Sequence, residues 1–485
     1  MKYTQTYQSL NAVMYQTVAP TPVNHPSLLC WNTALANQLG LRRFSDDEKA
    51  AIFSGNQLLD EQQPIALAYS GHQFGGFNPQ LGDGRAHLIA EIESEDGASF
   101  DVHLKGSGQT KYSRRGDGRC ALKPAIREFI MSEAMAGLGI PTTRTLAVVA
   151  TGETVWRTGA EPGAVVTRIA KSHLRIGTFQ YAAQQGDLSV LEALLDYAIA
   201  RHYPEITAKD TSTKVTAFIR AVMQKQIETL TGWMRVGFIH GVMNTDNATI
   251  SGETIDFGPC AMMGAYHPET VYSSIDTEGR YCFSNQAPIT QWNLARLAES
   301  LLPLYGDAQE QGLKELEPLI VQFKADFEYA FYHMMLRKLG IETEDIEQYE
   351  KLVDDLLALM QVEKRDYTQT FVFLGALLGG SDDVALSEQS DAFQTWVQAW
   401  RDVLSQVEEK QSVSPVTVMA QVNPLVIPRN HHVERILSAC EQGDLSELHA
   451  FVAVLSRPYE MQDATINYQD SPVDGDKDYQ TFCGT

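Results

Sequence analysis

The chain has 485 residues, beyond the roughly 250–300 at which one hydrophobic core stops growing, so two or more lobes are expected. Hydrophobic residues make up 44% and charged residues 20%, which excludes a largely disordered chain. With 38 Lys+Arg against 61 Asp+Glu the net charge is −23, which excludes a general surface for nucleic acid or anionic membrane. Any polyanion must be held by a local reversal of sign.

Residues 1–60 read as an N-terminal extension of turns and helix. They lack the basic-then-apolar pattern of a signal peptide, and no window approaches 18 uninterrupted apolar residues. The six cysteines are scattered, with no CxxC pair, as in a reduced set. A cytoplasmic location follows, with neither nucleic acid nor membrane as partner. Residues 64–104 read as short strands separated by glycines, ending in the alternating segment Ser99–Lys105. A helix is expected over 124–138, with Pro124 near its start and a Gly-rich stop before Pro141. Strand-like runs recur at 145–150, 154–157 and 164–169. Helical periodicity takes over at 188–200 and 216–234, a strand–turn–strand unit is expected over 239–257, and long helices dominate from 292 to about 455. Residues 461–485 read as a loosely held polar tail.

The reversal of sign lies between Lys105 and Arg127. Lys105, Lys111, Arg114, Arg115, Arg119, Lys123 and Arg127 are opposed there only by Asp117. Gly106, Gly108, Gly116 and Gly118 are interleaved with them and permit close approach of backbone amides. Glycine freedom with guanidinium and ammonium groups is what a di- or triphosphate needs. Upstream lie a Gly-rich stretch over 70–77 and the run Gly82-Asp83-Gly84-Arg85. In kinase-like folds a Gly-rich hairpin covers the phosphates and a Lys on a following strand contacts them, a place that Lys105 fills. Glu128, in the first turns of the next helix, is favoured over Glu133 as the carboxylate that orients that Lys. Arg168, Lys171 and Arg175 form a third basic group.

The segment from His240-Gly241 through Asn247 to Asp256-Phe257-Gly258 resembles the catalytic loop and metal-binding motif of protein-kinase-like phosphotransferases. A hard Mg²⁺ takes amide and carboxylate oxygens, and two short strands joined by a turn would present Asn247 and Asp256 together. Val242 stands where those enzymes carry a catalytic Asp. Asp246 is the nearest replacement carboxylate.

Several stretches together, YSGHQFGGFNPQLGDGRAHL, HLKGSGQTKYSRRGDGRCALKPAIREF, TRIAKSHLRIGTF, HGVMNTDNATISGETIDFGPC, GRYCFSNQ and NPLVIPRNHHVE, resemble the selenoprotein O family over about residues 69–434. The resemblance implies an α+β, protein-kinase-like two-lobed fold with a large, mostly helical C-terminal part. Its lobes fall at 61–180 for nucleotide binding and 181–290 for catalysis and metal, followed by a helical region at 291–460 and a flexible Cys-bearing tail at 461–485. It implies a protein adenylyltransferase that binds ATP inverted relative to kinases, transfers AMP to Ser, Thr or Tyr hydroxyls of proteins and releases pyrophosphate, with UMP transfer as an extension. By position, Gly82, Gly84, Arg85, Lys105, Asp117, Gly118, Arg168, Arg175 and Asp256 are implied to contact nucleotide. Asn247 and Asp256 are implied to hold Mg²⁺ (or Mn²⁺), with Asp246 as proton acceptor. Members often end in a Cys or selenocysteine, which places Cys483 in a redox pair with Cys282, or alternatively Cys260. The alternatives to nucleotidyl transfer are a kinase-like phosphotransferase and a non-catalytic nucleotide-binding pseudokinase. His431-His432 reads as packing or capping at a helix start, because adjacent residues do not share a helical face.

Overall fold

The computed structural model describes residues 3–41, 44–59, 61, 63–94, 97–380, 383–407, 411–472, 476–477 and 479–482. The fold is α+β, built on a large antiparallel sheet. Its strands are β1 (Tyr3–Thr4), β2 (Tyr15–Thr17), β3 (Ser27–Trp31), β4 (Ile65–Leu67), β7 (Ala86–Glu93), β8 (Ser99–Lys105), β9 (Cys120–Ala121), β10 (Arg144–Trp156) and β11 (Ala160–Ala170). The order is β2-β4-β7-β8-β11-β10-β3, with β1 on β7 and β9 on β11. A separate hairpin, β5 (Gly71–Gln73) and β6 (Gly76–Asn78), stands off the sheet.

The alternation along β8 is not an inside–outside pattern. Val102 and Leu104 are buried on one face, and Asp101 and His103 are buried on the other. The polar face is satisfied rather than solvated: Asp101 accepts from Arg201 (2.9 Å) and from the ring of His173 (3.0 Å), and His103 Nε2 meets Asp83 at 3.0 Å. Buried polar groups persist only when paired in this way. The runs expected at 145–150 and 154–157 are one strand, β10, whose register against β11 shifts between Ala150 and Thr154.

Helices α1 (Thr33–Gln38) and α2 (Asp46–Phe53) pack on one side of the sheet. The other side is covered by α3 (Leu122–Gly137), whose Ala125, Ile126, Phe129, Ile130 and Met131 join the main core. Next come α4 (Ile176–Gln184), α5 (Leu188–His202) and α6 (Thr211–Val236). The strand–turn–strand unit expected over 239–257 is not formed. The strands that pair are β12 (Phe238–Ile239) and β13 (Ala261–Met262), and the segment between them is irregular apart from one 3-10 turn at Thr245–Asn247. Polar side chains bonding the backbone locally compete there with a ladder: Asn247 Nδ2 donates to Val242 O (3.0 Å) and Thr249 Oγ1 to Glu253 O (2.7 Å).

The remainder is helical, beginning at 286 rather than 292: α7 (Gln286–Leu301), α8 (Gln309–Lys338), α9 (Glu350–Glu363), α10 (Tyr367–Leu378) and α11 (Asp383–Ser387). Then follow α12 (Asp391–Val407), α13 (Pro415–Val422), α14 (Asn430–Glu441) and α15 (Ser446–Leu455). The described part of the tail is not loosely held. Thr465, Tyr468 and Thr481 are buried, and Asp470 meets both His431 (3.2 Å) and His432 (2.8 Å), so the histidine pair at the start of α14 fastens the tail. Thr481 Oγ1 then donates to Pro259 O at 2.6 Å, three residues after Asp256. The periodicity that marks helices is absent from this segment, and its order comes from such pairwise contacts.

Candidate active site

A cleft of about 960 Å³ lies where β7, β8, the 106–119 loop and the 242–259 segment meet. Gly82, Gly84, Arg85, Lys105, Asp117, Gly118, Glu128, Arg168, Arg175, Asp246, Asn247 and Asp256 all border it. A groove of about 1080 Å³ between α3, α6 and α8 contains none of these residues.

At the centre is a five-residue ion network. Lys105, at the end of β8, donates to Glu128 Oε2 (2.7 Å) and Asp256 Oδ1 (3.3 Å). Arg168, on the neighbouring β11, donates to Glu128 Oε1 (2.7 Å) and Asp256 Oδ1 (2.6 Å), while Arg175 reaches Asp256 Oδ2 (3.1 Å). Burial opposes ionisation of both carboxyls, but Arg168, then Lys105, and for Asp256 also Arg175, hold them below the usual carboxylate range. Glu133 is elsewhere, in a pair with Arg144 (2.5 Å). Asp256 is left-handed (φ 63°), an uncommon conformation outside glycine and a mark of functional segments when the surroundings enforce it.

Asp246 differs in kind. Burial pushes its carboxyl up to about 6, with Arg175 opposing. Gln73 Nε2 donates to its Oδ2 (3.1 Å), and its Oδ1 is buried with no hydrogen-bond partner. The β5–β6 hairpin closes over it: a Cβ on Gly71 would lie 2.7 Å from that same Oδ1, so only glycine fits. Gly118 (φ 72°) is likewise required, since a side chain would overlap the backbone of Gly108 and Gln109.

The donor set suits a hard divalent cation. A carboxylate offers about four lone-pair sites, of which Lys105, Arg168 and Arg175 take three on Asp256. Asn247 gives its Nδ2 to Val242 O, its amide oxygen accepts no hydrogen bond among the described residues, and Asp246 Oδ1 is the orphaned oxygen beside it in sequence.

The cationic cluster is smaller and differently built than its sequence implies. Lys105, Arg114, Arg115 and Arg119 border the cleft, and Arg114 and Arg115 have no ion-pair partner among the described residues. Lys111 lies over the Tyr112 ring, Lys123 pairs with Glu441, and Arg127 is buried against Glu434 and Cys260 O. Lys171 does not border the cleft either. Arg157, unmarked in the sequence, joins the cleft and pairs with Asp117 (2.8 Å). Gln73, Tyr69, Asn244 and Asp83 also border it. Tyr69 stacks under Arg175 at 4.6 Å, and Asp83 is held ionised, at about 2, chiefly by His103 against the opposing effect of burial. Of these only Gln73 and Asp83 fall within the Gly-rich stretch of 70–85, which marks the segment but not the contacts these residues make.

Of the redox candidates, Cys282 and Cys260 are free and buried, while Cys483 lies outside the described residues. No helix among the described residues is long and apolar enough to cross a membrane.

A family model described as protein adenylyltransferase SelO matches residues 1–456. A protein nucleotidyltransferase YdiU from Teredinibacter turnerae is 47% identical over 489 residues, covering 100% of both chains. Its counterpart in Nitrosococcus oceani is 48% identical over 489 residues, covering 100% of this chain and 97% of that one. That of Pseudoalteromonas translucida is 49% identical over 470 residues, 96% of each chain.

Proposed function

The chain belongs to the SelO family of protein adenylyltransferases and is a nucleotidyltransferase, and on that premise we propose that it transfers AMP from ATP to Ser, Thr or Tyr hydroxyls of proteins, releasing pyrophosphate. The observation that carries this reading is the company of charges in the cleft: Lys105, Arg168 and Arg175 converge on Asp256, and Arg175 also donates to the backbone O of Asp246 (2.6 Å), whose buried carboxylate keeps Oδ1 without a hydrogen-bond partner among the described residues.

In this reading the acceptor hydroxyl gives its proton to the Asp246 carboxylate as its oxygen attacks the α-phosphorus. The bond to the β-phosphate oxygen breaks, and Lys105, Arg168 and Arg175, with Arg85, Arg114 and Arg115, receive the charge of the leaving pyrophosphate. Gly82, Gly84, Asp117 and Gly118 shape the loops along the phosphates. Glu128 orients Lys105. Asn247 and Asp256 would hold Mg²⁺ or Mn²⁺, which supplies Lewis-acid neutralisation of phosphate oxygens when bound. The same contacts to phosphate would serve UTP. The sheet with 61–180 acts as the nucleotide lobe and 181–290 as the catalytic lobe of a kinase-like arrangement, with 1–60 an N-terminal extension and 291–460 bracing it. A cytoplasmic location remains part of this reading, resting on the cysteine pattern.

The test is transfer from ATP labelled at the α- or the γ-phosphate. Label from the α position on protein is expected, and Asp256→Ala is expected to abolish it. Label only from γ would make the enzyme a phosphotransferase, and bound nucleotide with no covalent label would make it a pseudokinase.

A further inference from the structure

Beyond Asp246 the cleft opens onto a strip that the ion network does not use. β5 and β6 are joined by a two-residue turn in which Phe74 (φ 50°) and Gly75 (φ 83°) are both left-handed. That is type I′ geometry, which favours Asn, Asp or Gly at its first position. A phenylalanine is therefore held there against the preference of the turn. Its N–H is fixed by Asn244 Oδ1 (3.1 Å) and the Tyr281 hydroxyl (3.2 Å), which ties the turn to the Asp246 segment. The residue is nonetheless 40% exposed and borders the cleft, as does Ile275, at 49%. Arg280 lies over the rings of Tyr281 and Trp292 at 5.7 and 5.1 Å. Among the described residues it has no ion-pair partner, in a chain of net charge −23.

We propose that Phe74, Ile275 and Arg280 form the docking surface for the acceptor segment of the protein substrate. Phe74 and Ile275 take an apolar side chain, and Arg280 takes an acidic side chain flanking the acceptor hydroxyl. The inference rests on the nucleotidyltransfer reading above and specifies what that site accepts. The strip is continuous with the proton acceptor, because Gln73, the neighbour of Phe74, holds Asp246. Exposed apolar side chains beside a functional cleft mark a contact surface, and a guanidinium with no ion-pair partner among the described residues selects a carboxylate. The Phe74 ring packs on Tyr281 at 5.1 Å on one side, and the residue's remaining exposure at the cleft leaves its other side for a partner.

The experiment offers two serine-centred peptide libraries, one flanked by Asp and one by Lys, to the full chain with α-labelled ATP and Mg²⁺. The acidic library should be labelled about tenfold better, and Arg280→Glu should erase or reverse that preference. Phe74→Asn suits the turn, so the hairpin is retained; it should raise the peptide KM about tenfold with the ATP KM within about twofold of wild type. Equal labelling of the libraries, or variants that move the ATP KM as much as the peptide KM, would overturn the inference. So would labelling of a whole-protein extract with neither library labelled. If the wild-type chain transfers no α-label to any acceptor, the transfer reading itself fails and the docking surface with it.

Discussion

Replacing Glu128 by Ala isolates the ion network. Glu128 is 3% exposed and receives Arg168 Nε and Lys105 Nζ, both at 2.7 Å. Its removal leaves two buried or half-buried cations on Asp256 alone, and breaking a buried pair in this way costs about 3–5 kcal/mol. Asp256 still holds Arg168 at 2.6 Å, so the low end, about 3 kcal/mol, is expected. Glu133, on the same helix, is the control: its partner Arg144 is 29% exposed, and its loss should cost about 1 kcal/mol. In thermal unfolding of a chain of 485 residues this is a drop of roughly 3 °C for Glu128→Ala against about 1 °C for Glu133→Ala. Adding Arg168→Met to Glu128→Ala should recover part of the loss, because the more deeply buried of the two stranded cations is then gone and Lys105 keeps Asp256. Equal shifts for the two single variants, or no recovery in the double variant, would refute the view that Glu128 balances buried cations.

Two further predictions concern protons. If Asp246 must be ionised to accept the hydroxyl proton, the transfer rate should fall about tenfold per pH unit below its raised value of about 6 and level off above it. Asp246→Asn should abolish transfer while nucleotide still binds, and a pH-independent rate between 5 and 7 would count against this role. Burial raises Glu253 from the usual 4.5 to about 7. The folded chain therefore retains a proton that the unfolded chain releases, so this group's stabilisation is full below about pH 4.5 and is lost as pH rises to about 7. Its Oε2 accepts from Lys171 N and Ser251 Oγ, bonds that a Gln oxygen can also accept. Glu253→Gln should therefore remove this pH dependence and be the more stable form at pH 8, by on the order of 3 kcal/mol, in urea denaturation at the two pH values. Parallel curves for the two proteins would refute it.

Much of the candidate site was legible because the phosphate and metal chemistry proposed for it demands particular residue types close together in the chain. Lys105, Arg168 and Arg175 do meet Asp256, and Glu128 rather than Glu133 takes the Lys, as the position in the helix implied. Gln73 was not legible, because its bond to Asp246 spans 173 residues and no local pattern reports such a contact. The alternation of β8 misled for a related reason, since a polar face can be buried once Arg201, His173 and Asp83 arrive to pair it.

The charge of −23 and the seven cations between Lys105 and Arg127 were properties of the chain alone, and so was the type of chemistry they announced. Which cations serve it was decided only by folding. Arg127 and Lys123 lie on α3 and turn to Glu434 and Glu441 on α14, while Lys105, Arg114, Arg115 and Arg119, on β8 and the loop after it, turn to the cleft, and Arg157 is brought in at the end of the β10–β11 hairpin. The physical reason is that a charge's partner is set by distance in space, and helices and strands send neighbours in sequence to opposite sides of one core.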